Sequence, residues 1–202
     1  MKNYERAIEL DPRNFLLLGS AGLTYEYERR FPEAAAYWDR AVALATDDPT
    51  VAVLRARIDL ESHADTRPRY EAIQSVLAKD PSTVDRIADQ WFDVALCRRD
   101  AAEMASALAS LPPEGTYGVP RSFNEGLAAR VRNDAPGAER AFTAARVAVE
   151  KVVHEQPNYA QGLSTLGMID AALGYKEDAL REGRRAVELL PVTKDAMGVQ
   201  SC

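Results

Sequence analysis

Cysteine and histidine are scarce in this sequence. The chain holds two cysteines, Cys97 and Cys202, and two histidines, His63 and His154, and the members of each pair lie far apart. A disulfide framework or a structural zinc site needs more cysteines at closer spacing. A metal-dependent hydrolase helix needs a second histidine four residues away. We therefore expect neither a disulfide core nor a metal site, and we expect Cys97, on an apolar stretch of a predicted helix, to be buried and inert.

Long apolar runs and a surplus of basic residues are also missing. No run of 18 apolar residues exists, so no membrane span is expected, and the first six residues lack the apolar stretch of a secretory signal. The 25 basic and 31 acidic residues give a net charge of −6, which argues against nucleic-acid binding, because phosphates require a dense basic patch. These observations predict a reduced, cytoplasmic compartment, with neither a membrane nor a nucleic acid as partner.

Residues that could catalyse a reaction do not come together in the sequence. The segment from Gly115 to Gly118 has neither the spacing nor the following lysine of a phosphate-binding loop. The many carboxylates fit solvated helix faces and helix ends. We expect no catalytic residue, no cofactor and no metal, so an enzyme is not predicted.

What the sequence does contain is helical periodicity, interrupted by proline and glycine. Alternating β-branched runs are nearly absent, so strands are not expected. Because the residue before a proline disfavours the α region and proline itself suits a first helical turn, the prolines mark the helix ends. The pattern predicts eleven helices, with an irregular loop at 112–120: 4–10, 16–29, 32–45, 50–62, 67–79, 83–97, 100–111, 121–133, 136–155, 159–173 and 176–190.

These helices repeat with a period of about 34 residues, which is typical of stacked helical hairpins. When block 15–48 is laid on block 160–193, the small residues coincide: Gly22 falls on Gly167, while Trp38 falls on Gly183, a poor match. The predicted repeats are 15–48, 50–83, 84–118, 119–158 and 160–193, preceded by a partial repeat at 1–14. We expect one repeat domain over 1–202. Small residues would let two helices approach closely, and bulky ones would fill the space between hairpins.

The pattern resembles the tetratricopeptide repeat (TPR) family. In the first full block the matching residues are Leu18, Ala21, Gly22, Tyr25, Ala34, Trp38 and Ala41; in the last they are Leu163, Leu166, Gly167, Ala179, Ala186 and Pro191. The last block departs from the family pattern at Asp170, and the second at Arg69, where alanine is expected. The resemblance implies an all-α, right-handed solenoid of about five antiparallel hairpins plus one orphan N-terminal helix.

A family of this kind binds proteins, and its first helices line the concave side. The resemblance implies a groove whose residues in this chain are Leu16, Leu23, Tyr27, Leu54, Arg55, Ile58, Phe92, Phe123, Asn124, Leu127 and Arg130. The lysine and asparagine that let some members grip a carboxylate are replaced by Gly19 with Leu23 and by Leu54 with Ile58. The groove thus suits a segment with apolar anchors, although the same leucines could instead pack on neighbouring helices.

Two further expectations concern context. Residues 184–191 are similar to repeat arrays of large bacterial signalling proteins, and 192–197 resemble the start of another repeat, so we expect a piece of a longer protein. Neither end carries an evident polar capping helix. The function predicted is a scaffold or sensor segment that binds a peptide or protein, and the alternative is structural self-association through the terminal repeats.

Overall fold

The structure, a computed structural model, describes residues 2–45, 48 and 50–191, with the side chain of Lys2 left aside. Within these residues it is all-α: it contains eleven α-helices, one 3-10 helix and no strand. The α-helices are α1 Lys2–Leu10, α2 Phe15–Tyr27, α3 Phe31–Leu44, α4 Thr50–His63, α5 Arg67–Lys79, α6 Ala88–Arg98, α7 Ala101–Ser110, α8 Arg121–Val131, α9 Ala135–Glu155, α10 Ala160–Leu173 and α11 Lys176–Leu189; the 3-10 helix is Pro81–Arg86.

The predicted helices are confirmed, with one difference in the sixth. A continuous α-helix was expected over 83–97, but the 3-10 helix covers the first part and α6 begins only at Ala88. Asp80 caps the 3-10 helix by accepting the backbone N–H of Ser82 at 3.0 Å, and Pro81 follows it directly. This cap starts a tighter, three-residue turn before the α-helical register is established. The predicted loop at 112–120 is confirmed, and its only pairing is an isolated bridge between Thr116 and Val119.

Helix ends follow the chemistry of their caps. Asn14 accepts the N–H groups of Leu16 and Leu17 and so begins α2, and Asp100 begins α7 in the same way. Gly174 ends α10 with a φ of 86°, a left-handed conformation that glycine adopts without steric cost.

The chain divides into two compact units, Met1–Arg98 and Arg99–Cys202. In the first unit the core of α1, α2, α3 and α4 includes Ile8, Leu18, Tyr25, Trp38 and Ile58. A second cluster there surrounds Ile73 and Ile87. The prediction of one continuous repeat domain over 1–202 stays a prediction.

In the second unit α8, α9 and α10 share two apolar clusters. Phe142 and Ala138 form one with Ala129, and Leu166 and Ile169 form the other with Ala145 and Val149. The unit's predicted long helix, α9, is confirmed at 21 residues.

Three hairpins pair the same two repeat positions. A methyl group added to Gly22 would stand 2.8 Å from Cδ1 of Trp38, and one added to Gly126 would overlap the ring of Phe142. In the last hairpin the partner of Gly167 is another glycine, Gly183, whose backbone nitrogen would lie 3.4 Å from such a methyl group. Trp38, Phe142 and Gly183 therefore occupy the same repeat position, and in each of these three hairpins that position faces a glycine of the first helix. An aromatic side chain fills the gap where it is present, and the helix backbones approach where it is not.

One expectation about burial is wrong. Cys97 was predicted to be buried, but its side chain is exposed. The buried residues of α6 are Ala88, Phe92, Val94 and Ala95, and Cys97 lies beyond them in the last turn of the helix, next to the exposed Arg98. The predicted repeat start at 192–197 and Cys202 lie outside the described residues.

In the described ranges, no helix combines the length and the apolar character that would let it cross a membrane.

Candidate functional site

A cleft opens between α2 and α4 in the first unit. Its described lining consists of Phe15, Leu16, Gly19, Ser20, Leu23, Trp38, Asp48, Thr50, Val51 and Leu54, which enclose about 260 Å³. We call this surface the α2/α4 cleft. Three residues predicted for the groove, Leu16, Leu23 and Leu54, meet here, although Leu54 lies more than thirty residues beyond the other two.

The two helix starts place these side chains. The Asn14 carboxamide oxygen accepts the N–H groups of Leu16 and Leu17, and an Asp48 carboxylate oxygen accepts the N–H of Thr50 at 3.1 Å and its hydroxyl at 2.7 Å. Each cap fixes the first turn of its helix. As a result, Leu16 and Val51 stand at the same end of the cleft.

The floor of the cleft is the indole of Trp38, which belongs to α3. It can be reached because α2 carries a glycine above it: a methyl group on Gly19 would lie 3.3 Å from Cζ3 of the ring. Val51 is buried beside the floor, and Leu23 and Leu54 are half-buried. Leu16 at the rim is 68% exposed. The cleft therefore has apolar walls, an aromatic floor and one leucine that nothing in the described chain covers.

Charge is nearly absent from the cleft. Asp48 is the single charged residue among those described in the lining. Its Oδ1 accepts hydrogen bonds from Thr50 and, at 2.9 Å, from the guanidinium of Arg86. Burial acts to raise the pKa of Asp48, but the hydrogen bonds from Thr50 and the charge of Arg86 lower it overall. The pKa of Asp48 is thus lowered by its neighbours, which favours the ionised carboxylate.

Further along the same two helices the surface becomes ionic. Glu26 of α2 is only 4% exposed, and its carboxylate lies 2.5 Å from Nε of Arg57 on α4. Arg57 also lies 3.3 Å from Glu61. Burial and the neighbouring Glu26 raise the pKa of the Glu61 carboxyl. This cluster joins α2 to α4.

The other groove residues predicted in the first unit lie outside the cleft. Tyr27 is half-buried near the ionic end, while Arg55 turns toward α3 and forms ion pairs with Asp39 at 2.6 Å and with Asp59 at 3.0 Å. Phe92, at 1% exposure, is a core residue, so its assignment to an open groove is corrected: an apolar side chain on an inward-facing helix is removed from water wherever a neighbouring helix can cover it. Ile58, at 3% exposure, also belongs to the core, but it lines a separate cleft of about 330 Å³ together with Arg55.

In the second unit, described by itself, three of the four predicted groove residues contact α9 or α10. Phe123 packs on Phe142 with ring centroids 5.6 Å apart, and Leu127 joins the same cluster. Arg130 is exposed, but its guanidinium lies 4.7 Å from the Phe142 ring centroid and donates to the carbonyl of Ala172. Asn124 is half-buried. Phe123, Leu127 and Arg130 therefore pack α8 against α9 and α10.

The repeat register also assigns four residues of the last repeat to the inner face, namely Gln161, Ser164, Thr165 and Met168, and most of them are covered. Ser164 and Thr165 are buried, and Gln161 donates to the carbonyl of Tyr117 at 2.6 Å, which ties the 112–120 loop to α10. Met168 alone of the four is exposed. The sequence pattern assigned these positions by register, and it contained no signal that the loop would fold back on the helix.

Sequence reasoning missed a larger cleft of about 690 Å³ in the second unit. Val153, Leu163, Leu166 and Leu180 supply its apolar lining, and charged residues of α11 form the rest. The sequence contained no signal for this cleft: Asp170, which departs from the repeat pattern, is completely buried and is not among its lining residues.

Comparisons with known proteins identify no family. No protein-family model matches the chain, and no curated protein matches it. Among solved structures, "Crystal structure of MamA" is similar with a TM-score of 0.37 and 17% identity, covering 92% of this chain and 84% of that one. "Crystal structure of MamA protein" gives a TM-score of 0.38 and 16% identity, with coverages of 95% and 81%. Similarity at this level carries no argument about function.

Proposed function

We propose that this chain is a TPR-like repeat protein that binds a peptide or protein segment through apolar anchors in the α2/α4 cleft. The observation that carries the proposal is the convergence of Leu16, Leu23 and Leu54 on one cleft with an exposed rim. Burying one leucine side chain is worth about 1.5–3 kcal/mol. A partner that covers Leu16 and inserts an apolar side chain above Trp38 would gain energy of that order.

The size and chemistry of the cleft support a protein partner over a small molecule. Cofactor and drug-sized ligands occupy cavities of about 300–1,000 Å³, whereas this one holds about 260 Å³, enough for a few protruding side chains. Its described lining includes no lysine or arginine that could clamp a terminal carboxylate. We therefore propose recognition by apolar anchors within a segment. We further propose a role as the regulatory or sensor part of a larger bacterial protein, and no catalytic activity.

A selection from a displayed peptide library against the folded chain tests this. The selected peptides should contain spaced apolar residues, and their affinity should fall at least tenfold for the double variant Leu16→Glu, Leu54→Glu, because a carboxylate would be desolvated in the cleft. The matched control is Leu10→Glu, which alters another exposed leucine of the same unit. Equal affinities for the double variant, once circular dichroism has shown that it is folded, would overturn the proposal.

Self-association is the second candidate, supported by one observation. Leu180 and Val187 lie seven residues apart on α11, roughly on one face of the helix, and about half of each side chain is exposed. We propose that another copy of the chain could cover them. Light scattering at rising concentration should show association that Leu180→Glu, Val187→Glu reduces. A mass that stays monomeric up to millimolar concentration would rule this candidate out.

A further inference from the structure

Two carboxyl groups meet in the interior of the α10–α11 hairpin. Asp170 of α10 is 0% exposed and Glu182 of α11 is 7% exposed, and the two side chains lie within hydrogen-bonding reach of each other. One oxygen of each, Oδ2 of Asp170 and Oε2 of Glu182, has no hydrogen-bond donor among the described residues. A buried acceptor without a donor destabilises the folded state, so an arrangement with two of them together requires an explanation.

The positive charges nearby are already shared. From α9, Arg146 reaches Oδ1 of Asp170 at 2.5 Å and also Glu150 at 2.5 Å. On α11, Arg181 reaches Oε1 of Glu182 at 2.7 Å and also pairs with Asp178. Two guanidinium groups thus serve four carboxylates.

The remaining neighbours supply no side-chain proton to the pair. The turn residue Tyr175 donates its backbone N–H to the backbone carbonyl of Asp170, and its ring lies below Arg146, 5.5 Å from Cζ to the centroid. From α8, Arg130 donates to the carbonyl of Ala172 and lies over the ring of Phe142. Neither residue donates to Oδ2 of Asp170 or to Oε2 of Glu182.

We propose that Asp170 and Glu182 hold a single proton between their unpartnered oxygens, which ties α11 to α10 and makes the stability of this hairpin depend on pH. A proton on Oε2 of Glu182 turns that oxygen into a donor to Oδ2 of Asp170. One proton then satisfies both orphaned oxygens and removes one of two adjacent buried negative charges.

The pKa of Glu182 is raised, in the direction that a shared proton requires. Burial, and then the hydrogen bond with Asp170, raise its pKa from 4.5 to about 6. Because the folded state binds this proton more tightly than the unfolded chain, the extra stability is complete below pH 4.5 and is lost as the pH rises through about 6. The pH window of the effect therefore runs from about 4.5 to 6.5.

The proton also changes a surface. Glu182 lines the cleft of about 690 Å³ together with Leu163 and Leu166. When Glu182 is protonated, the wall of this cleft carries one negative charge less, so the pair couples the interior of the hairpin to an open face of the unit.

The decisive measurement is an NMR titration of the Glu182 side-chain carboxyl carbon in the full, wild-type chain between pH 3.5 and 8. A midpoint near 6 is expected, and the Glu188 carboxyl, exposed on the same helix, serves as the internal reference. A Glu182 midpoint near 4.5 would overturn the proposal, and this outcome does not depend on any variant folding.

Urea unfolding followed by circular dichroism supplies the second measurement. The side-chain amide of Glu182→Gln donates a permanent hydrogen bond to Asp170 and cannot titrate. Between pH 7.5 and 4.5 the wild-type folding equilibrium constant should rise about fifteenfold more than that of Glu182→Gln, because the pKa of Glu182 is 4.5 in the unfolded chain and about 6 in the folded protein. Glu188→Gln should follow the wild type. Parallel pH profiles for the wild type and Glu182→Gln would contradict the shared proton.

Discussion

The indole of Trp38 rests against the backbone of Gly22, so closely that a methyl group on Gly22 would stand 2.8 Å from Cδ1 and 2.9 Å from Nε1 of the ring. The first full hairpin is therefore built on a contact that any residue larger than glycine would disturb. Gly183 of α11 provides the contrasting case: a methyl group added there would meet nothing within 4 Å.

Gly22→Ala should therefore destabilise the protein, and Gly183→Ala should stabilise it. Alanine gains up to about 1 kcal/mol over glycine in a helix interior. At Gly22 the overpacking of about 1–3 kcal/mol opposes and exceeds this gain, whereas at Gly183 the gain stands alone. Free energies of unfolding from urea titrations test the two signs. A stabilising Gly22→Ala would mean that Trp38 is free to move aside.

Phe92 is buried in the core and Leu16 is exposed at the surface, so substitutions at the two positions should have very different effects on stability. Phe92→Ala should cost about 3–5 kcal/mol of unfolding free energy, because it empties a buried aromatic site, whereas Leu16→Ala should change it by less than about 0.5 kcal/mol. Equilibrium unfolding of both variants is the measurement. Similar costs at the two positions would show that Leu16 is covered or that Phe92 is not.

The ion pair between Glu26 and Arg57 should contribute to folding, unlike the ion pairs on the surface. Glu26→Ala removes the buried partner of Arg57 and should lower the free energy of unfolding by about 1–3 kcal/mol. The control is Glu9→Ala, which breaks the exposed pair with Arg6 and should have no measurable effect. Equal losses of unfolding free energy in the two variants would show that the buried ion pair contributes no more to stability than the exposed one.

Cys97 should react with a thiol reagent in the folded protein, because its side chain is exposed. The experiment uses Cys202→Ser, so that a single cysteine remains, and follows alkylation by mass spectrometry in native buffer. The rate of alkylation in native buffer should be similar to the rate in urea. Labelling that begins only in urea would restore the original prediction of a buried thiol.

The hairpins could be predicted because their signals are local. Pro32 and Pro68 stand in the first turns of their helices, Asp100 caps α7, and Gly174 ends α10. Each acts through its own dihedral angles or through hydrogen bonds to residues a few places away. The beginning of α6 was missed because Asp80 and Pro81 favour a 3-10 turn that helical periodicity alone does not reveal.

The site was predictable only in part, since register indicates which face of a helix a residue occupies and not what covers that face. Leu16 and Phe92 were both assigned to the inner face by their repeat positions, yet one is exposed and the other is buried. Arg69, noted only as a departure from the repeat pattern, proves to be buried, with its guanidinium 3.9 Å from Asp93.

The sequence by itself determined the helices, their approximate ends and the small residues at which helices touch, because these depend on spacing within one or two turns. The tertiary structure decided which inner-face residues remain open, that Leu54 joins Leu16 and Leu23 around Trp38, and that Asp170 meets Glu182 in the interior. Those outcomes depend on contacts between helices distant in sequence, and on burial, which changes the energy of a side chain without changing its identity.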